Sequence, residues 1–159
     1  MKSASLAEIK KELSYLSHLQ LLEICLRLSK FKKVNKDLIN YLLFEAHDEA
    51  EYIKKVKEII ELRFEEMPFS SLFFTTKYIR KTLRIVKLYI QFSSNKQTEI
   101  ELMLFFCAQL KISVQQWRKY VAIANLYERQ LDKISKDLSK LHEDLQYDYT
   151  KELEKLILT

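Results

Sequence analysis

An all-α fold is predicted by three features of the sequence. The chain of 159 residues contains no glycine and a single proline, Pro68, so tight hairpin turns of the primed types lack their preferred residue. Apolar residues recur three and four apart through most of its length, the spacing of one helix face. Side chains able to cap helices stand ahead of those runs: Ser5 with Glu8, Ser17 with Gln20, and Ser113 with Gln116. Seven or eight helices are expected in one domain spanning 1–159. They would form either stacked helical hairpins, a HEAT-like solenoid fragment, or an irregular up-and-down bundle.

The first helix opens at Ser5 and ends near Tyr15. The second opens at Ser17, carries Leu19, Leu22, Leu26, Ile24 and Leu28, and runs to about Lys30 or Phe31. A basic loop follows. Asn35 is then placed to cap a third helix bearing Leu38, Ile39, Tyr41, Leu42 and Phe44; it is too apolar all round to face water widely, so it is expected in the core. Asp48, within the acidic cluster Glu45, Asp48, Glu49 and Glu51, opens a fourth helix reaching Phe64, with Tyr52, Val56, Ile59, Ile60 and Phe64 inward.

Met67-Pro68 breaks that helix, because the residue before proline is pushed out of the α region. Phe69 to Thr76 has no assigned state, although Leu72, Phe73 and Phe74 are too apolar for a free loop. A helix then reaches Phe92, Ser93 to Asn95 form a turn, and a nearly all-apolar helix occupies Gln97 to Leu110.

From Ser113 to the C-terminus no strong breaker occurs. Ala124, Tyr127, Leu131, Ile134, Leu138, Leu141 and Leu145 follow the heptad spacing of a coiled-coil seam. A continuous helix would extend about 65 Å, longer than the domain is wide. It therefore projects, pairs with another chain, or breaks near Ser139 to Asp144 and folds back as a hairpin. Leu131, Ile134, Leu138, Leu141 and Leu145 are thus the candidate seam for a helical partner, a second copy of the chain included.

An internal duplication near 17–66 and 77–128 is suggested by an offset of 62 residues. That offset aligns Leu26 with Leu88, Leu42 with Leu104, Phe44 with Phe106, Ala46 with Ala108 and Lys57 with Lys119.

Charge supplies the functional reading. The chain has 27 basic and 22 acidic residues. The stretch from Met67 to Thr98 contains no acid and carries Lys77, Arg80, Lys81, Arg84, Lys87 and Lys96. Without those six the balance is 21 against 22, so the basic character is local. On a helix Lys77, Arg80, Lys81, Arg84 and Lys87 fall within an arc of roughly 120°. This is the candidate face for an anion or a partner. It suits an acidic protein surface or nucleic-acid phosphates, and Arg27, Lys30, Lys32, Lys33 and Lys36 would extend it if two units stack in register. The plain alternative is a solvated face, or one paired internally with Glu45, Asp48, Glu49 and Glu51 or with Glu61, Glu65 and Glu66.

The absence of glycine excludes the P-loop and the dinucleotide fingerprint, which need backbone at φ > 0. His18, His47 and His142 belong to no helical zinc or di-iron pattern. No local nucleophile signature is present, and no catalytic residue, metal or cofactor is assigned. Cys25 and Cys107 are expected to be reduced, buried small hydrophobes, and Trp117 a core anchor. No stretch is apolar enough to span a membrane, and with no secretory signal the expected location is cytoplasmic. The expected function is a non-catalytic binding or scaffolding protein, first a protein adaptor and second a nucleic-acid binder.

Overall fold

The computed structural model describes residues 3–158. Within them the chain forms eight α-helices and no strand. The backbone groups into two compact units divided between Phe44 and Glu45.

The N-terminal unit holds α1 (Leu6–Ser14), α2 (His18–Phe31) and α3 (Lys33–Asn40). Capping boxes start the first two, as the sequence predicts. Ser5 N–H donates to Glu8 Oε2 at 2.7 Å while Glu8 N–H donates to Ser5 Oγ at 3.3 Å, and Ser17 and Gln20 repeat the exchange. Asn35 does not cap α3. The helix begins at Lys33 after an extended Lys32, and the Asn35 amide donates instead to the Leu28 carbonyl at 2.9 Å, tying α3 to α2.

Nor is the third helix a core helix. Leu38 and Ile39 are half-buried, Leu42 and Phe44 are exposed, and only Tyr41, in the π-helical turn Tyr41–Glu45, is buried. No residue of α1, α2 or α3 is buried.

The C-terminal unit holds the core. It comprises α4 (Glu49–Glu65), α5 (Leu72–Ser93), α6 (Lys96–Ser113), a 3-10 turn (Trp117–Lys119), α7 (Val121–Leu138) and α8 (Glu143–Leu158). Apart from Tyr41, every buried apolar side chain among the described residues lies in this unit. α6 is its centre and touches α4, α5, α7 and α8. Its sequence explains the position: Ile100, Leu102, Met103, Leu104, Phe106, Cys107 and Leu110 are spread around most of the helix circumference, and a helix so widely apolar is stable only when surrounded. Each fully buried large side chain contributes about 1.5–3 kcal/mol.

Local chemistry sets the boundaries. Asp48 caps α4 by accepting from Glu51 N–H at 3.0 Å. The stretch left unassigned in the sequence resolves because Ser71 caps α5, accepting from Phe74 N–H, and the Thr75 hydroxyl bonds the Pro68 carbonyl at 2.8 Å. Leu72, Phe73 and Phe74 therefore belong to the first turn of α5. That helix ends at Ser94, whose φ of 53° and ψ of 18° are left-handed, a conformation glycine would adopt without cost. Asn95 caps α6 through its contact with Gln97 N–H at 2.9 Å.

Ser113 opens no helix. It is the last residue of α6, and Val114 follows as the cap. Trp117 then turns inward against Tyr127, ring centroids 4.3 Å apart, and is buried as expected of an anchor. The heptad run breaks between Leu138 and Glu143, within the stretch singled out in the sequence, and α8 packs on α6 and α7. Lys111 Nζ meets the Lys155 and Leu156 carbonyls at 3.3 and 3.1 Å, satisfying acceptors that the end of α8 would otherwise leave open.

The suggested duplication pairs positions that do different work. Leu42 and Phe44 are exposed, whereas their counterparts Leu104 and Phe106 are buried.

Candidate binding face

The face is carried by α5. Ile79, Thr82, Leu83, Val86 and Ile90 are buried and hold the helix to the unit. Lys77, Arg80, Lys81 and Arg84 then stand on the opposite side, all exposed. At 1.5 Å per residue they span about 10 Å along the axis. Among the described residues none of the four forms an ion pair within 4 Å. The internal partners considered from the sequence do not close over them.

Two other members of the basic stretch are employed elsewhere. Lys87 is half-buried; desolvation, followed by the neighbouring Lys133 charge, lowers its pKa, while Glu99 opposes the shift. It belongs to the flank of α5 and not to the open stripe. Lys96 pairs with Glu99 at 2.8 Å. Arg27, Lys30, Lys32, Lys33 and Lys36 belong to the N-terminal unit, so the stripe is built by the C-terminal unit alone.

An aromatic border adjoins the cations. Phe73 and Phe74 are exposed in the first turn of α5, with ring centroids 5.5 Å apart and an edge-on angle of 75°. Beside Phe74 a cleft of about 390 Å³ is lined by Pro68, Ser70, Phe74, Lys77, Tyr78 and Lys81. Arg63 of α4 lies behind it: its guanidinium sits 5.0 Å over the Tyr78 ring and its Nε donates to Thr82 Oγ1 at 3.1 Å. The sequence reading missed Arg63 and this cleft. The i, i+4 pairs Phe74/Tyr78 and Lys77/Lys81 were readable signals for the cleft walls, whereas Arg63 has no local signal because α4 supplies it from across the helix pair.

A larger cleft of about 640 Å³ lies against α4, α6 and α8, and among its lining residues are Lys57, Gln97, Glu101, Phe105 and Tyr149. Four of its polar groups, Lys57, Gln97, Glu101 and Tyr149, are engaged with one another. Lys57 Nζ meets Glu101 at 2.6 Å, Gln97 Nε2 donates to the Tyr149 hydroxyl at 3.1 Å, and that hydroxyl donates to Glu101 Oε2 at 3.2 Å. The stripe on α5 differs in having no such internal partners.

The C-terminal seam faces inward in large part. Ile134 and Leu138 are buried, and Leu131, Leu141 and Leu145 are half-buried. α7 and α8 take up its apolar positions within the unit.

His47 is exposed, and its acidic neighbours serve the fold: Asp48 caps α4, and the Glu49 carboxylate accepts from the hydroxyls of Ser93 and Thr98. Among the described residues no group of three His, Cys, Asp or Glu side chains is placed to hold a metal ion. Cys107 is buried, and desolvation pushes its thiol up to about 12. Cys25 is exposed, contrary to the expectation from its apolar neighbours. Its helix α2 offers no closed interior to receive it. Among the described residues no helix is long and apolar enough to cross a membrane.

Comparison with known protein families, with curated proteins and with solved structures finds no match to the chain.

Proposed function

We propose that this is a non-catalytic helical binding protein that docks an acidic surface of a partner protein on α5. The observation that carries the reading is the exposed, unpaired set Lys77, Arg80, Lys81 and Arg84 beside Phe73 and Phe74. Cations fixed on a packed helix present a positive potential with little ordering cost at binding. Aromatic side chains and arginine are enriched at protein interfaces.

Charge distribution favours protein over nucleic acid. The C-terminal unit carries 19 basic and 18 acidic residues from Glu45 onward, and without the four stripe cations the balance is 15 against 18. Nucleic-acid interfaces are much more positive than this. Beyond the stripe the unit as a whole offers a longer phosphate backbone no excess of cations.

Fluorescence anisotropy with a labelled poly-glutamate peptide and with labelled single-stranded and duplex oligonucleotides tests the reading, at about 50 and 200 mM salt. Peptide binding that Arg80→Glu with Arg84→Glu abolishes is expected. Tighter oligonucleotide binding that falls about 10²-fold over that salt range, the slope of four neutralised phosphates, would replace the protein partner by nucleic acid. Absence of binding to every probe would overturn the docking face itself.

A further inference from the structure

We infer that the cleft beside the stripe is an anchor pocket, and that the partner segment is acidic and inserts one aromatic side chain there. This rests on the docking face proposed above and names what that face selects.

The geometry divides the surface into two parts. The walls of the cleft are the Pro68 ring, the Phe74 and Tyr78 rings one turn apart, and the stems of Lys77 and Lys81. Lysine stems cover apolar surface while their ammonium groups remain in water, so the pocket has an apolar floor and a cationic rim. Its volume of about 390 Å³ lies at the lower end of the range for ligand sites, roughly 300–1,000 Å³. That volume admits a large side chain. Arg63 stacked behind Tyr78 and bonded to Thr82 keeps the ring in place before the partner arrives, which lowers the ordering cost of binding.

The rest of the stripe sets the order of the partner's residues. Arg80 and Arg84 lie on the row next to Lys77 and Lys81, and Arg84 is the furthest from the pocket. A segment whose anchor enters the cleft therefore runs its carboxylates toward Arg84 over about 10 Å, or about seven residues if it is helical. Poly-acid alone satisfies only the charge. An aromatic residue with acids three, four and seven positions away satisfies both parts.

The test uses the full chain and two labelled peptides of equal charge, one with a single Trp at the anchor position and one with Ala there. Wild-type protein is expected to bind the Trp peptide about tenfold or more tightly than the Ala peptide, the usual scale of a buried aromatic anchor. Ser70→Trp, at an exposed loop position on the cleft, should fill the pocket and bring the two affinities together. Tyr78→Ala, checked for folding by circular dichroism, should do the same from the opposite wall. Arg80→Glu with Arg84→Glu should remove binding of both peptides. Equal affinity of the two peptides for wild-type protein, with both lost on charge reversal, would overturn the anchor pocket and leave the acidic docking face standing. Loss of neither peptide on charge reversal, or no binding at all, would overturn both.

Discussion

The Arg63 guanidinium lies 5.0 Å over the Tyr78 ring, while its Nε donates to Thr82 Oγ1 at 3.1 Å. One side chain of α4 thereby fixes both the wall of the candidate pocket and a buried hydroxyl of α5. A half-buried cation over an aromatic face is worth about 0.5–2 kcal/mol, and its hydrogen bond adds about 1 kcal/mol. Arg63→Ala should lower stability by about 1–2 kcal/mol in urea unfolding and weaken peptide binding even though Arg63 itself is not in the stripe. Arg63→Lys should recover little of either, because an ammonium cannot stack as a planar guanidinium does. Full recovery by lysine would show that only the charge matters.

Glu99 gives the fold an acid sensitivity. Burial opposes its ionisation, but the hydrogen-bonded ammonium groups of Lys133 and Lys96, at 2.5 and 2.8 Å, outweigh that and hold its carboxyl below the usual value of 4.5. A hydrogen bond from Lys140 likewise holds Asp137 below 3.8. A carboxyl with a lowered pKa in the folded state stabilises the fold at pH above its unfolded value, and the contribution is lost as pH falls through the folded one. Stability should therefore be nearly level from pH 7 down to about 5 and decline below about 4.5. Glu99→Gln should cost about 0.5–1 kcal/mol at neutral pH, since both lysines reach solvent, and should make the acid decline shallower. Urea midpoints at pH 7 and pH 3 measure both effects; parallel declines in the two proteins would remove Glu99 from the account.

Ser94 ends α5 at φ 53°, the left-handed region where a β-carbon costs about 1 kcal/mol. Ser94→Gly should therefore stabilise the protein, by up to about 1 kcal/mol after the greater freedom of the unfolded chain is set against the relief. Ser94→Ala should destabilise slightly, because it keeps the β-carbon and loses the hydroxyl bond to the Gln91 carbonyl at 3.0 Å. Thermal melts of the two variants decide the matter, and a glycine variant less stable than wild type would show that the turn is not strained.

Where the determinants were local, the sequence was readable. Ser5, Ser17 and Asp48 cap helices because each supplies an acceptor to an amide within three residues, and the apolar run from Ile100 to Leu110 places α6 centrally without reference to any other segment. Asn35 and Ser113 look like caps by the same rule, but the Asn35 amide is drawn to the Leu28 carbonyl, and the apolar run through Leu110 carries α6 past the expected start. Helical spacing placed Lys87 on the stripe because its angle is right, and packing of α5 beside Glu99 and Lys133 moved it out. Charge and helical spacing together made Lys77, Arg80, Lys81 and Arg84 legible as one face, but not whether that face is open or paired internally, which only the packing around α5 decides. The pocket beside it was not, since its rear support comes from α4.

The two cysteines offer separate reporters of the two units. Cys25 is exposed on α2, in a unit whose three helices contain no buried side chain, whereas Cys107 is 0% exposed on the central helix α6 with its thiol raised to about 12 by burial. Only a thiolate reacts readily, so Cys107 should be silent until α6 is uncovered. Labelling with a chromogenic disulfide at about pH 8 should give one thiol per chain at once and the second only in urea or at the slow rate of opening of the C-terminal unit. Ser94→Gly should slow that second phase if its stabilisation is confined to the same unit, while Cys25 labelling should be unchanged. Prompt reaction of both thiols in the native protein would mean that α6 is not enclosed, and would remove the packing on which the outward face of α5 depends.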